Sequence, residues 1–166
     1  RNSSMGMAIQ SVKSGKSDAI VSAGNTGALM AMAKLFLRPI EGINRPAIAA
    51  YFPTITGESC MLDLGANIDC DAKNLVQFAF MGQAFANIVM GVDNPSISLL
   101  NIGEEEQKGL DYIKEASQIL SDLKSQINYA GFIEGDKIAQ GISDVIIADG
   151  FTGNVSLKTA EGTALL

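Results

Sequence analysis

The sequence contains no histidine and no tryptophan, and only two of its 166 residues are cysteine. Without histidine the chain cannot supply Ser-His-Asp or Cys-His catalysis, a histidine-ligated metal, or the usual general base for neutral pH. Cys60 and Cys70 occur without a secretory signal. They do not indicate a disulfide framework, and the expected compartment is a reducing cytoplasm.

Charged residues are also scarce, at 18% of the chain, and the formal net charge is −6. A negative chain lacks the positive field that loose binding to nucleic acid or anionic lipid requires, so we expect no nucleic-acid partner. Hydrophobic residues make up 47% of the sequence. This composition is typical of a compact domain with much buried sheet, and the length predicts a single domain over 1–166.

Strand-like and helix-like segments alternate along the chain. Helices are predicted at 3–14, 25–38, 72–90, 104–123, 136–140 and from 153 onward, and strands at 18–23, 47–52, 60–64, 96–102, 127–132 and 144–148. The alternation predicts an α/β fold with a mostly parallel sheet and helices on both faces. The short loop between the second and third strands adds an antiparallel hairpin.

The predicted helix over 72–90 leads into a long uncharged stretch. Residues 75–92 carry no formal charge, which brings this stretch near the lower limit for a membrane span. Gln77, Gln83 and Asn87 are spread over several turns, and such amides are costly against lipid but ordinary inside a protein. We expect a helix buried on nearly all sides, in part against a second subunit.

Four of the predicted strands end in loops rich in glycine and asparagine or acidic residues, at 24–27, 65–67, 103–106 and 149–154. Parallel strands bring their carboxyl ends to one edge, and glycine, asparagine and helix N-termini together suit an anion. Any single loop of this kind is more often a helix cap than a ligand contact. Four at one edge predict an anion site. No P-loop or dinucleotide fingerprint is present, so nucleotide binding has little support.

Two kinds of charged residue stand near this edge. Lys108 follows Glu104 by four residues, in the first turn of the predicted helix, where it is either a site residue or half of a surface ion pair. Asp63 and Asp149 lie within apolar strands. An unpaired carboxylate would be costly there, so both are expected to accept hydrogen bonds that hold the loops.

Six motifs follow one another in a familiar order with compatible spacing: SAGNTGAL at 22–29, RPAI at 45–48, LDLGAN at 62–67, LLNIGEEEQKG at 99–109, GFIEG at 131–135 and DGFTGNVSLKTAEG at 149–162. Together they resemble the PlsX-type phosphate acyltransferases of bacterial phospholipid synthesis. The resemblance covers nearly the whole chain. Family members are about twice as long, so the chain is expected to be their central part.

The resemblance implies transfer of a long acyl chain from acyl carrier protein to inorganic phosphate, giving acyl phosphate, with no cofactor. It implies a three-layer α/β/α sandwich related to phosphotransacetylases and to isocitrate-type dehydrogenases. It also implies a cytoplasmic homodimer that associates peripherally with the membrane through helices beyond residue 166.

The resemblance favours Lys108 and Asn154 as catalytic residues, for charge stabilisation and as a neutral donor. The phosphate pocket is assigned, mainly on position, to Gly24, Asn25, Thr26, Asn67 and Gly153. No metal site is evident, because carboxylates at the edge occur singly apart from Glu104 to Glu106, which are typical of the first turn of a helix.

Three other readings compete with this one. A phosphotransacetylase-like enzyme using a short acyl-coenzyme A stays open. A decarboxylating dehydrogenase of related fold needs an arginine cluster, and the only arginines here are Arg1, Arg38 and Arg45. A non-catalytic piece that only dimerises or docks also stays open.

Overall fold

The computed structural model describes residues 3–165, which form two compact units that meet in the sequence between Pro46 and Ala47. The prediction of a single domain over 1–166 stays a prediction. The first unit contains helices α1 (Ser4–Lys13) and α2 (Thr26–Leu37). Ser3 caps α1 by accepting from the Gly6 amide at 3.1 Å, and Asn25 caps α2 by accepting from the Ala28 amide at 3.0 Å. Both helices therefore begin where the sequence predicts.

The strand predicted at 18–23 is wrong. These residues have no regular secondary structure, and the Val21 side chain is fully exposed. An apolar run becomes a strand only when its backbone groups pair with a neighbouring strand. The sheet described below contains no partner for residues 18–23, so their composition alone misled the prediction.

The second unit is built on a five-stranded sheet with strand order β1-β2-β5-β3-β4. The strands are β1 (Ala49–Thr54), β2 (Gly57–Leu62), β3 (Ile97–Leu100), β4 (Tyr129–Ile133) and β5 (Val145–Ile147). β1 and β2 pair antiparallel, and β2, β5, β3 and β4 pair parallel. The predicted fold class, a mostly parallel sheet with an antiparallel hairpin, is confirmed. The hairpin turns more tightly than expected: the strands were predicted to end at 52 and begin again at 60, whereas the structure pairs Thr54 with Gly57. Pro53 lies within β1, which is an edge strand and therefore tolerates proline.

Helices cover both faces of this sheet. Leu62, Leu99 and Ile147 point to one face, into a core shared with α3 (Ala72–Phe85) and α4 (Asp111–Asp122). Met61, Leu100 and Ile146 point to the other face, where α5 (Gly150–Thr163) and a 3₁₀ helix (Gly135–Gln140) pack. This alternation of side chains between the two faces produces the three layers that were predicted.

Helix α3 is buried along its first turns and exposed at its end. Asp71 and Asn74 form a capping box at its start, and Gly82 lies so close to the sheet that an added Cβ would be 2.5 Å from a Val145 methyl. The helix ends in a π-helical turn (Ala86–Met90), where Ile88 is 82% exposed. Burial of this end against a second subunit stays a prediction. Among residues 3–165, no helix has both the length and the hydropathy needed to cross a membrane.

Candidate functional site

The carboxyl ends of β2, β5, β3 and β4 lie at one edge of the sheet because these strands are parallel. The loops that follow them bring together the polar residues after Leu62, Ile147, Leu100 and Ile133. Three of the four predicted loops therefore meet at this edge of the second unit. The fourth loop, with Gly24, Asn25 and Thr26, belongs to the first unit. Its participation in the same site stays a prediction.

A pocket of about 830 Å³ opens at this edge. β3 and β5 are neighbours, yet the helices that follow them, α4 and α5, pack on opposite faces, which is the arrangement where α/β sheets form ligand crevices. The volume suits a small-molecule site. The lining residues come from the loops after β3 and β4 and from the starts of α4 and α5: Leu100, Asn101, Ile102, Gly109, Leu110, Tyr112, Ile113, Glu134, Gly135, Asp136, Thr152 and Ser156.

Asp149 organises the start of α5 beside this pocket. Its buried carboxylate accepts hydrogen bonds from the Thr152 amide at 2.9 Å, the Thr152 hydroxyl at 2.7 Å and the Tyr112 hydroxyl at 3.1 Å. Burial, followed by the proximity of Asp149, raises the pKa of Tyr112. The phenol therefore stays protonated and serves as a donor. The prediction that Asp149 holds a loop through accepted hydrogen bonds is confirmed.

Asp63 organises the loop after β2 in the same way. It is fully buried and accepts from the Ile48 and Ala66 amides and from both nitrogens of Asn67, at 2.6–3.1 Å. The Asn67 carbonyl in turn accepts from the Gly150 amide at 2.8 Å. The side-chain donor of Asn67 is thus bonded to Asp63, and a contact between Asn67 and phosphate stays a prediction.

The loop after β2 and the first turn of α5 are in direct contact. A Cβ added at Gly153 would be 1.9 Å from the Asp63 carbonyl oxygen, so only glycine allows this approach. The Asn154 amide nitrogen donates to the Leu64 carbonyl at 3.2 Å. Gly153 and Asn154 therefore tie the two loops together at the edge where the sequence predicted a site, and their roles toward substrate stay predictions.

The helix predicted to begin at Glu104 is wrong, since α4 begins at Asp111. Lys108 and the three glutamates from Glu104 to Glu106 lie in a loop, and Gly109 has a positive φ of 94° that interrupts any helix there. The Lys108 ammonium pairs with Glu105 at 2.9 Å rather than with Glu104, which pairs with Lys137. The hydrogen bond to Glu105 raises the pKa of Lys108, a side chain that is already charged at neutral pH without this bond.

Lys108 and Asn154 extend from different parts of this edge. The Lys108 side chain, 47% exposed, lies on the loop after β3 and has Glu105 as its partner. Asn154 lies on α5 and bonds to the loop after β2. The strands β2 and β3 are separated by β5 alone, so the two loops lie on either side of the end of that strand. Neither Lys108 nor Asn154 is among the residues that line the pocket.

Sequence reasoning missed several residues that line the pocket. Asn101 was within a quoted motif and was a polar residue inside the apolar strand predicted at 96–102, so its position was a usable signal. Ser156 was also within a quoted motif, whereas Tyr112 carried no such signal, because its approach to the pocket depends on where α4 begins and on how it packs. Among residues 3–165, no cluster of three or more cysteine, aspartate and glutamate side chains is arranged to hold a metal ion.

Residues 1–166 match the family model described as "Fatty acid synthesis protein". The chain belongs to this family. Two curated relatives carry the name phosphate acyltransferase: one from Rhodospirillum centenum, 58% identical, and one from Paramagnetospirillum magneticum, 55% identical, both over 166 residues. The matches cover all of this chain and 47% of each relative, so the chain spans about half the length of these family members. The resemblance drawn from the six motifs is confirmed.

Solved structures support the same fold for the family member described here. A phosphotransacetylase from Streptococcus pyogenes has a TM-score of 0.78 at 20% identity, over 96% of this chain and 55% of that one. The EutD phosphotransacetylase from Staphylococcus aureus has a TM-score of 0.74 at 20% identity, over the same shares of the two chains. At this identity the likeness concerns the fold alone.

Proposed function

We propose that the protein spanned in part by this chain transfers a long fatty acyl group from acyl carrier protein to inorganic phosphate. A phosphate oxygen attacks the thioester carbonyl carbon and forms a tetrahedral oxyanion. The carbon–sulfur bond then breaks, and the departing thiolate takes the proton that the phosphate monohydrogen dianion brought. The products are acyl phosphate and the free carrier thiol. Phosphate is already nucleophilic at neutral pH, so the reaction needs no histidine or serine.

The observation that carries the proposal is the pocket between the loop of Lys108 and the start of α5. Lys108 supplies a permanent positive charge for the phosphate, the oxyanion or the thiolate, and Asn154 supplies a neutral donor. Leu110, the N-cap of α4, gives no side-chain hydrogen bond, so the first amides of α4 face this edge without a side-chain cap. Preorganised donors of this kind stabilise developing negative charge better than water does.

The lining of the pocket suits the long acyl chain of the proposed donor, and the choice of acyl carrier protein over coenzyme A rests on the family resemblance. Leu100, Ile102 and Ile113 give it apolar surface suited to an acyl chain or to the linear arm that bears the thioester. Homodimer formation, a cytoplasmic location and peripheral association with the membrane are further parts of the proposal, which rest on the family resemblance.

The test compares acyl donors with the full-length protein. We expect phosphate-dependent release of carrier thiol and formation of acyl phosphate from palmitoyl carrier protein, with far slower turnover of acetyl-coenzyme A. Acyl phosphate can be trapped as the hydroxamate and counted against the thiol released. Preference for acetyl-coenzyme A would replace the proposal with the phosphotransacetylase reading. No turnover of either donor would leave a non-catalytic role.

Glu105 competes with phosphate for the Lys108 ammonium in this proposal. Glu105→Gln is expected to lower the KM for phosphate by about two- to five-fold, because Lys108 would no longer have to break an ion pair before it binds phosphate. This range corresponds to the free energy of a typical surface ion pair. The Lys108 ammonium stays charged in the variant, since an ordinary lysine pKa lies well above neutral. The measurement is the phosphate dependence of initial rate at fixed carrier concentration.

Glu106→Gln is the matched control for this prediction. It removes the same charge from the same exposed loop, one residue away, and has no ion pair with Lys108. An equal fall in the phosphate KM for both variants would mean that the general negative charge of the loop matters, and that the pairing of Glu105 with Lys108 does not.

A further inference from the structure

The loop that carries Lys108 is closed by a single side chain. Asn101, at the end of β3, is 7% exposed and its amide nitrogen donates to two carbonyl oxygens, that of Gly103 at 3.1 Å and that of Lys108 at 3.0 Å. These two bonds join the beginning of the loop to its end. The backbone at Lys108 is therefore fixed to the end of a buried strand, although the loop itself is exposed.

The oxygen of the Asn101 side-chain amide has no hydrogen-bond partner. This Oδ1 atom is buried and, among the residues described, is the one buried side-chain polar atom without a partner. Rotating the amide by half a turn would not correct this, because the oxygen would then face the two carbonyl oxygens that the nitrogen now serves. A buried acceptor without a partner costs stability. The two bonds that the nitrogen donates must offset this cost for the side chain to stay in place.

Gly109 packs against this amide. A Cβ added at Gly109 would lie 2.0 Å from the Asn101 Oδ1 atom, and the φ of 94° at Gly109 is itself unfavourable for a side chain. Glycine at this position is therefore required for the Asn101 amide to sit inside the loop. Asn101 and Gly109 form one packed pair directly before and after the segment that holds Lys108.

The same loop also directs the Lys108 side chain. The Lys108 amide donates to the Glu105 carbonyl at 3.0 Å, and a Cβ added at Gly103 would be 2.3 Å from the Lys108 Cδ atom. The stem of the lysine thus lies across Gly103, whose carbonyl is one of the two that Asn101 binds. The bonds from Asn101 fix both the backbone of Lys108 and the surface on which its stem rests.

We propose that Asn101, packed on Gly109, is the positioning residue that holds Lys108 for catalysis. This inference rests on the proposed function, since it takes Lys108 as the group that meets phosphate. A helix cap is the other common role for an asparagine at a strand end, but the N-cap of α4 is Leu110, and the two acceptors of Asn101 are loop carbonyls. Asn101 also lines the pocket, but the role proposed for it is exerted through Lys108.

The test is a double-mutant cycle in the full-length protein. Asn101→Ala is expected to lower kcat/KM by about 10- to 100-fold, the scale of a misplaced catalytic group. In the Lys108→Ala background, the same substitution is expected to change the remaining activity by less than about two-fold, because the group that it positions is gone. Equal losses in both backgrounds would show that Asn101 acts independently of Lys108, through the fold or through the substrate, and would overturn the proposal. An unchanged rate for Asn101→Ala alone would overturn it too.

Two further variants and a second readout complete the test. Asn101→Asp keeps the side-chain shape and loses the donors, and Gly109→Ala displaces the amide from the other side, so both should reproduce the loss; either one replaces Asn101→Ala if that protein does not fold. NMR of ¹³C-methylated lysines, with Lys108→Ala for assignment, reports the position of Lys108 without turnover. A shifted Lys108 signal in these variants is expected, and an unshifted one contradicts the proposal. Failure of the proposed function would appear separately. The wild-type protein would then form no acyl phosphate from palmitoyl carrier protein, or the Lys108→Ala variant would turn over normally.

Discussion

Lys108→Ala is expected to lower kcat/KM for acyl transfer to phosphate by about 10²- to 10³-fold, the loss typical of removing one preorganised group that stabilises transition-state charge. The physical reason is that the positive charge of Lys108, in this proposal, stabilises the negative charge on the phosphate, the oxyanion or the thiolate. Its side chain is about half exposed and pairs only with Glu105 among the ion pairs of residues 3–165, so the fold should not depend on it. The measurement is steady-state kinetics of the full-length variant, with its thermal midpoint recorded.

Lys114→Ala is the matched control for this variant. Lys114 lies on α4, is 36% exposed and pairs with Asp111 at 2.9 Å. The Lys114→Ala variant therefore loses the same positive charge and the same kind of ion pair, between residues three apart in the sequence. We expect near-normal kinetics for Lys114→Ala. Normal turnover by Lys108→Ala would show that Lys108 has no role in catalysis. Equal losses in the two variants would show that the net charge of the protein matters and the position of Lys108 does not.

Gly153→Ala is expected to destabilise the fold by about 2–4 kcal/mol, because its Cβ would overlap a main-chain carbonyl that cannot rotate away. The α5 helix would have to move off the loop after β2, which would also break the bond from Asn154 to the Leu64 carbonyl. The free energy of unfolding in urea, monitored by circular dichroism, gives the size of the loss.

Gly162→Ala provides the comparison within the same helix. No atom lies within 4 Å of a Cβ added at Gly162. Alanine there should stabilise α5 by up to about 0.5 kcal/mol through its higher helix propensity, less than in a helix interior because Gly162 is the next-to-last residue of α5. If Gly153→Ala were as stable as Gly162→Ala, the close approach of α5 to the Asp63 carbonyl would be wrong.

Periodicity and capping residues carried most of the fold prediction. The helix starts at Ser3 and Asn25 were readable because a side chain bonds an amide three residues away, within the same short segment. The parallel sheet followed from the alternation of elements, and the roles of Asp63 and Asp149 followed from the cost of burying an unpaired carboxylate. Each of these inferences depends on local pattern or on a general energetic rule.

The errors fall where distant contacts override local preference. Residues 104–108 are rich in glutamate and contain a lysine, which favours a helix, yet hydrogen bonds from Asn101 and the positive φ of Gly109 hold them in a loop. Residues 18–23 have the composition of a strand but lack a paired neighbour. Tyr112 reaches the pocket only through the position of α4, which no local pattern encodes.

The shortest strand sets the width of the candidate site. All three residues of β5 are buried, and within residues 3–165 β5 is the strand that joins the β1-β2 hairpin to β3 and β4. The loop after β2 and the loop of Lys108 are therefore separated by two strand spacings, roughly 10 Å. Fluctuations that open the β5 ladder would change this distance. Because β5 is buried and hydrogen-bonded to a strand on each side, its amide protons should be among the slowest in the second unit to exchange with solvent. The two loops of the candidate site would then keep a constant separation.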